Sequence, residues 1–478
     1  MLHIGGVRTA LYCWLLAHQT GGQFILRIED TDQGRYDERA EQSIMEALRW
    51  LGLHWDEGPD NGGPYAPYTQ SLRKASYQEA SDRLLESGAA YLCDCTSERL
   101  EMLRQRQEAA KQPPGYDGRC RTRPRAELEQ ARRDGAQVVT RLRVPDRGEI
   151  TFQDVVHGEV TFDLSRLSDF VIMKSDGMPT YHLAHVIDDQ VMKITHVIRG
   201  EEWISSTPRH VLLHRALGIQ LPTYVHVPLI LGKDRSKLSK RHGAAFALEY
   251  RDQGYLPDAV FNYLALLGWS TGDDSEIMSR DEITRRFSIS RIQDHPAIFD
   301  AEKLEWMNGV YMRSITAAAL ADHVIPFLEK PERAGGLPDS VQRPLDRGYV
   351  MKLMPLVQER MKKLIDAVEF TDFFFKDEIV VDAPSLPGKG MDAASTASAL
   401  EEALKLCLSV ESFDAGELER RYRGLAESLG LKAGQLFGPI RVAITGKSVA
   451  PPLFDTLAGL GRERSADRLR KAIGLMRG

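Results

Sequence analysis

The sequence predicts an α/β protein: a doubly wound parallel sheet, an α+β insertion within it, and an all-α half after it. Three observations carry that reading. β-like and helical segments alternate over the first 76 residues and again after residue 166; a charge-dense stretch with three cysteines separates them; and beyond Gly243 helical periodicity dominates. At 478 residues the chain is too long for one ordinary core, so several domains are expected.

The first element follows a His-Ile-Gly-Gly turn, residues 3–6. Val7, Ala10, Leu11, Trp14 and Leu15 recur at helical spacing, and Gly21-Gly22 stops the helix. QFILRIEDTD, residues 23–32, reads as a buried strand whose end turns charged, and Ile44, Ala47, Leu48 and Leu51 mark a second helix. From Tyr77 to Arg166 the texture changes to charged residues, KQPPG and short β-like runs, QVVTRLRV and EITFQDVV. Strand-like runs DFVIMK and ITHVIRG then return, followed by a helix through PRHVLLHRALG and a strand YVHVPLIL. Farther on, PDAVFNYLALLGW and RDEITRRF read as helices. DAPSLPGKGMDAAS, residues 382–395, reads as a hinge or linker between two helical units. The division expected is 1–76 and 167–242 for the halves of the sheet domain, 77–166 for the insertion, 243–305 for a further contact region, and 306–380 and 381–478 for the helical units.

Composition narrows the function classes. An apolar fraction of 42% with 27% charged residues is globular. No stretch reaches the roughly 20 uncharged apolar residues of a membrane span. The apolar run from Val7 to Ala17 is too short for one and contains Arg8. Five cysteines are too few for a disulfide scaffold, and the clustering of Cys93, Cys95 and Cys120 points to a reducing compartment and a metal, which places the protein in the cytoplasm. The net charge is −6, yet residues 431–478 hold nine Lys/Arg against three acids. That tail reads equally as a phosphate-contacting surface or a solvated helix face. Cys13 and Cys407 stand apart and read as helix-packing residues.

Two short motifs carry chemistry. In the opening turn, Gly5 and Gly6 let a phosphate approach the backbone, the helix start offers N–H groups to an anion, and His3 adds a hydrogen bond. In GKDRSKLSKRHG, residues 232–243, Lys237 and Lys240 flank Ser239 in a cationic loop that can close over a triphosphate and stabilise charge growing on phosphorus. Each alone is a weak signal: a helix start in one case, a basic surface loop in the other.

Together, in this order, the two motifs resemble the signatures of class I aminoacyl-tRNA synthetases, with a Rossmann-like catalytic domain. RIEDTD, PTYHLAHVIDD, HVIRGEEW and the final LKAGQLFGPIRVAITGK and LFDTLAGLGRERSADRL resemble the glutamyl-tRNA synthetase family over nearly the whole chain. The resemblance implies activation of L-glutamate by ATP with Mg2+, then transfer to the terminal ribose of tRNA(Glu), with activation waiting on tRNA. It implies that 77–166 binds the acceptor stem, 243–305 contacts the stem, and 306–478 binds the anticodon; relatives are often monomers.

Residue by residue, His3, Gly5 and Gly6 match the ATP-phosphate signature; Lys237, Ser239 and Lys240 match the mobile loop. Glu29 matches the acid that receives the substrate's ammonium group. Tyr181 and Arg199 match the substrate pocket, where a guanidinium meets the side-chain carboxylate. The alternative for Arg199 is an internal salt bridge to Glu201, Glu202 or Asp189. His185 stands where some relatives carry Asn. Cys93, Cys95, Tyr116 and Cys120 resemble a structural Zn2+ site, although Thr122 occupies a position that is His in other relatives; the alternative is a decayed site of free thiols.

Relatives carry a strand and a Pro-Ser-Pro-Thr-Gly-like loop ahead of the His-Ile-Gly turn, which suggests about ten further residues upstream of Met1. Competing functions are a catalytically silent paralogue that binds tRNA and an enzyme that also charges tRNA(Gln). A shorter relative that modifies a tRNA base lacks the helical half present here after Trp306. Against the silent paralogue stand Glu29, Tyr181, Arg199, Lys237 and Lys240, residues that only function requires.

Overall fold

The computed structural model describes residues 2–34, 36–238 and 246–477. Helix α1 (Ile4–Thr20) starts at His3, whose backbone is extended and whose Nδ1 accepts the Gly5 N–H at 3.2 Å. Val7, Leu11 and Leu15 are at most 1% exposed, and each such burial contributes about 2 kcal/mol. Gly21, at φ 68°, closes the helix in the left-handed conformation that glycine adopts without strain. Helix α2 (Glu38–Trp50) buries Ala47 and Leu48, as the spacing predicts.

The stretch expected as a strand near Glu29 joins no ladder among the described residues. Leu26 N–H donates to Glu57 O and Ile28 N–H to Tyr68 O, both at 2.9 Å, and isolated bridges tie Ile25 to Glu57 and Ile28 to Thr69. The partner segment changes within three residues, so no continuous register forms.

Seven strands follow: β1 (Ala90–Cys93), β2 (Val139–Leu142), β3 (Glu149–Asp154), β4 (Gly158–Asp163), β5 (Val171–Met173), β6 (His196–Gly200) and β7 (Thr223–Val227). One sheet has the order β4-β3-β7-β6, with β6 and β7 parallel over five register pairs and β3 parallel to β7 at the single pair Asp154–Tyr224. The second sheet, β1-β2-β5, is antiparallel. The run DFVIMK, expected with the parallel sheet, thus supplies β5 to the other one, where Leu142 N–H donates to Phe170 O at 3.0 Å. A short parallel pair, β8 (Ile230–Leu231) and β9 (Ala297–Ile298), lies farther along the chain.

The chain folds as two compact units: residues 1–249 with 260–301, and residues 250–259 with 302–478. Within the first, Leu142, Ile150 and Phe152 share one buried cluster with Leu183, Val211 and Tyr224, so segments 77–166 and 167–242 are joined by common packing. Small clusters around Cys93 and Leu92 lie beside it.

The second unit is helical around one core that runs from Leu256 to Ile473. The stretch 382–395 is not a hinge between two helical units. Leu386 is 0% exposed inside that core, and Gly388 N–H donates to Thr396 Oγ1 in a buried contact. Leu400 and Phe374, from the two sides of the expected hinge, belong to the same cluster. Part of the basic tail is held in the fold. Arg468, 3% exposed, donates to the carbonyls of Phe373, Lys376 and Ile444, and Arg464 donates to Phe374 O. Those carbonyls end the helices Asp366–Phe375 and Ala433–Thr445, where unpaired C=O groups and the helix dipole favour a cation. Burial brings the Arg468 pKa down to about 10. Arg462 likewise donates to Leu408 O at 2.9 Å, so these three arginines pin helix ends, while Arg470, Lys471 and Arg477 are more than half exposed at their side chains.

Candidate active site

Two clusters of the expected residues form in the first unit. In one, the start of α1 meets the beginning of the cationic loop. Its first turn carries no acidic side chain. Gly5 and Gly6 have no positive φ; their lack of a side chain keeps the helix start open, since a Cβ on Gly6 would approach Leu2 Cδ1 at 3.1 Å. Gly232 N–H donates to Ser236 O at 2.9 Å, and Leu238 N–H donates to Ile230 O, a tight turn that presents Lys237 beside β8. The His3 pKa is lowered, first by burial and then by the charge of Lys237. His3 is therefore neutral, and two motifs far apart in the chain share one site. Ser239 and Lys240 lie outside the described residues.

Arg8 locks this helix start in place. The side chain is 3% exposed and donates to Leu267 O at 3.1 Å and to Pro228 O at 2.5 Å, while Tyr12 OH reaches Ala265 O and Leu267 O.

The second cluster gathers around Arg199, which stands near the carboxyl end of β6, where ligands bind in open parallel sheets. Arg199 is 8% exposed. Its Nη2 donates to Thr207 Oγ1 at 2.7 Å, Nε to His226 Nε2 at 3.1 Å, and Nη1 to His210 Nδ1 at 3.3 Å and Tyr181 OH at 3.4 Å. Among the described residues no carboxylate forms an ion pair with it, so the salt bridges to Glu201, Glu202 or Asp189 weighed from the sequence are not made. Glu201 instead accepts Leu229 N–H at 3.1 Å, and Asp189 pairs with Arg27 at 2.9 Å. A buried cation held only by neutral groups is costly unless an anion completes it.

Tyr181 opens the helix Tyr181–Val191. Its ring stacks on His185 at 5.3 Å and packs against Trp203 at 5.2 Å. Burial, and then the charge of Glu29, push the Tyr181 phenol up to about 12, so Glu29 acts on the same pocket. Burial brings His185 down to about 3 and His182 to about 4, leaving both neutral; His185 therefore meets Asp189 at 3.3 Å as a neutral hydrogen-bonding ring. Glu29, 35% exposed at its side chain, is held by Arg27 Nη2 at 2.8 Å. Behind it Asp188, fully buried, accepts from Arg73 Nε at 2.7 Å, Tyr77 OH at 2.7 Å and Gln70 Nε2 at 2.9 Å.

Thr207, His210, His226, Arg27 and Asp188 were not singled out in the sequence. Arg27 and Asp188 lie within the quoted RIEDTD and PTYHLAHVIDD; for His226 the available signal was a histidine in the otherwise apolar strand YVHVPLIL, because a buried polar side chain needs a partner.

The sulfurs of Cys93, Cys95 and Cys120 lie within 4.8 Å of one another. Tyr116 OH is 3.5 Å from Cys93 Sγ and 3.7 Å from Cys95 Sγ. Three converging thiols are a donor set that fits zinc. Burial raises the Cys93 thiol, but hydrogen bonds from Tyr116, the Cys95 N–H and Arg141 more than offset it and leave its pKa lowered; burial carries Cys95 up to about 12. Burial, then the contacts to Cys120 and Cys93, raise the Tyr116 phenol.

An acid-free helix start close to Lys237, and a buried guanidinium at the carboxyl end of a parallel strand, are features expected of a class I aminoacyl-tRNA synthetase. Comparison with known proteins agrees. Residues 1–306 match the family model for class I tRNA synthetases (E and Q), catalytic domain, and residues 319–473 match an anticodon binding domain. The chain is 49% identical over 471 residues to a glutamate–tRNA ligase of Dehalococcoides mccartyi, covering 98% of this chain and 95% of the relative, and 47% identical over 481 residues to that of Roseiflexus castenholzii, covering 99% and 94%. A crystal structure of a glutamate tRNA ligase from Elizabethkingia meningosepticum in complex with its amino acid matches with a TM-score of 0.88 at 36% identity, covering 99% of this chain and 97% of that one. The chain belongs to the glutamate–tRNA ligase family. Among the described residues no helix is long and apolar enough to cross a membrane.

Proposed function

We propose that this protein ligates L-glutamate to tRNA(Glu) at the expense of ATP. The observation that carries the reading is Arg199, a buried guanidinium with neutral partners only. A side-chain carboxylate supplies the missing anion, and glutamine, with a neutral amide, does not. Glu29 receives the ammonium group, and Tyr181 closes the pocket on one side. The start of α1, with His3, Gly5 and Gly6, takes ATP phosphates, and Lys237, with Ser239 and Lys240, stabilises charge as a glutamate α-carboxylate oxygen attacks the α-phosphorus and pyrophosphate leaves. Mg2+ supplies charge neutralisation on the phosphates when bound. The terminal ribose hydroxyl of tRNA then attacks the glutamyl carbonyl and AMP departs.

Residues 77–166 serve the acceptor stem, 243–305 the stem, and the helical half from residue 306 the anticodon. The protein works as a cytoplasmic monomer. Cys93, Cys95 and Cys120 hold one structural zinc with Tyr116 beside it. Metal analysis of purified protein is expected to give about one zinc per chain, lost in C93S and C120S; full-length protein with no zinc sinks that assignment.

The test of function is glutamate-dependent ATP–pyrophosphate exchange, with and without tRNA(Glu). Exchange that requires glutamate and tRNA supports the reading. Tight tRNA binding with no exchange under any amino acid would replace it with a silent tRNA-binding paralogue, and charging of tRNA(Gln) would widen the substrate range.

A further inference from the structure

Beneath Arg199 lies a polar pair shut off from solvent. His226 sits in β7 with its side chain 0% exposed, and Asp154, also 0% exposed at its side chain, ends β3. His226 Nδ1 is 2.6 Å from Asp154 Oδ2, and His226 Nε2 is 3.1 Å from Arg199 Nε. The two residues come from segments 72 positions apart, and the parallel pairing of β3 with β7 brings them together at Asp154–Tyr224.

The donors around Asp154 and Arg199 fix which nitrogen of His226 carries the proton. Asp154 Oδ1 accepts the N–H groups of Val156 and His157, each at 3.0 Å, and Oδ2 accepts the His226 N–H at 3.1 Å. With only donors around it, Asp154 is an ionised carboxylate. It can meet His226 Nδ1 only if that nitrogen carries the proton. Nε2 is then a lone pair, as it must be, because a guanidinium has donors and no acceptor. Thr207 Oγ1, 3.2 Å from the same Nε2 and 2.7 Å from Arg199 Nη2, completes the cradle.

We propose that Asp154 and His226 are positioning residues for Arg199: Asp154 selects the His226 tautomer, and the resulting Nε2 lone pair holds the Nε edge of the guanidinium so that its Nη1 edge is left for the substrate carboxylate. The geometry supports that division of labour. The Nε and Nη2 contacts are the short ones, at 3.1 and 2.7 Å. Those of Nη1, to His210 and Tyr181, are long at 3.3 and 3.4 Å, and an incoming anion displaces the weakest contacts first. The inference rests on the reading of Arg199 as the contact to the glutamate side chain.

Two conservative variants separate orientation from packing. In H226Q the amide oxygen can stand where Nε2 stood and accept from Arg199. In H226N the shorter amide reaches Asp154 but not Arg199. The expected result in tRNA-dependent exchange is a KM for glutamate raised about 10- to 100-fold in H226N and H226L, with the KM for ATP little changed, and recovery to within about threefold of wild type in H226Q. D154N should behave like H226N, because an amide N–H2 in place of Oδ2 forces the His226 proton onto Nε2, facing Arg199. Equal glutamate KM values in H226Q, H226N and H226L, or KM values for ATP and glutamate rising together, overturn the proposal.

A measurement on the unmodified protein covers the case in which variants fail to fold. In protein with 15N-labelled histidine, His226 is expected as the Nδ1–H tautomer without substrate; the Nε2–H tautomer or an imidazolium at neutral pH refutes the assignment. If the wild type shows no glutamate-dependent exchange while the Nδ1–H tautomer is present, the reading of function fails and the local geometry stands. Normal wild-type exchange with unresponsive variants fails the inference alone.

Discussion

Replacing Arg199 by Met removes the charge while keeping most of the side-chain volume, and the surroundings of Arg199 set opposite expectations for stability and activity. In the free protein the guanidinium donates four hydrogen bonds to neutral groups, each worth about 1 kcal/mol net. Against their loss stands relief of a buried, unpaired cation, several kcal/mol in effective desolvation. The two nearly cancel, so the thermal midpoint should move by no more than about 5 °C. Glutamate binding has no such compensation. Truncating one partner of a buried charge-assisted pair costs about 2–5 kcal/mol, or roughly 30- to 5000-fold in kcat/KM for glutamate. The assay is glutamate-dependent exchange with saturating tRNA, run beside differential scanning calorimetry. An R199M protein within about fivefold of wild type in kcat/KM would refute the role given to this residue. A large drop in midpoint would refute the claim that the free protein carries an uncompensated charge.

Burial holds His182 near 4 and His185 near 3, well below the value these groups take when unfolded, so the unfolded chain binds more protons as the pH falls below about 6.5. Stability should therefore decline between about pH 7 and pH 5.5, and the decline should shrink in the H182N/H185N double variant when midpoints are compared by calorimetry; an unchanged slope counts against both assignments. In the helical unit, L386A should cost about 2–5 kcal/mol in urea unfolding, as for any fully buried leucine, whereas a true linker would lose under about 0.5 kcal/mol. D188N leaves Arg73 buried beside a neutral amide, with an expected loss of about 3–5 kcal/mol by the same measurement; a loss under about 1 kcal/mol would show that the Asp188 charge is not needed there.

Sequence periodicity located several helices, because a helix that buries one face writes its spacing into the chain: Val7, Leu11 and Leu15 are all at the core. It did less well where backbone partners come from distant segments. The residues before Glu29 have the composition of a strand, but their hydrogen bonds are shared between residues 57 and 68, a fact of tertiary assembly. The Pro/Gly-rich stretch at 382–395 was misleading for a different reason. Its composition permits a loop, whereas Leu386 alone decides that the loop is packed down. At the candidate site, two motifs far apart in sequence come together at His3 and Lys237. The residues that hold them in place were not legible. Nothing in the local spacing of Asp154 and Thr207 distinguishes them from surface polar residues. In the basic tail, a count of charges does not reveal that Arg464 and Arg468 donate to helix-end carbonyls while Arg470, Lys471 and Arg477 stay exposed.

The hairpin of β3 and β4 joins β7 through one register pair, and that pair lies next to the contact between Asp154 and His226. Segment 77–166 is accordingly not a cassette. A chimera that takes this segment from a relative receives its aspartate from the donor and its histidine from the recipient, and a graft that mismatches the two should show the raised glutamate KM expected of D154N. Across descendants of this gene, positions 154 and 226 should change together or not at all.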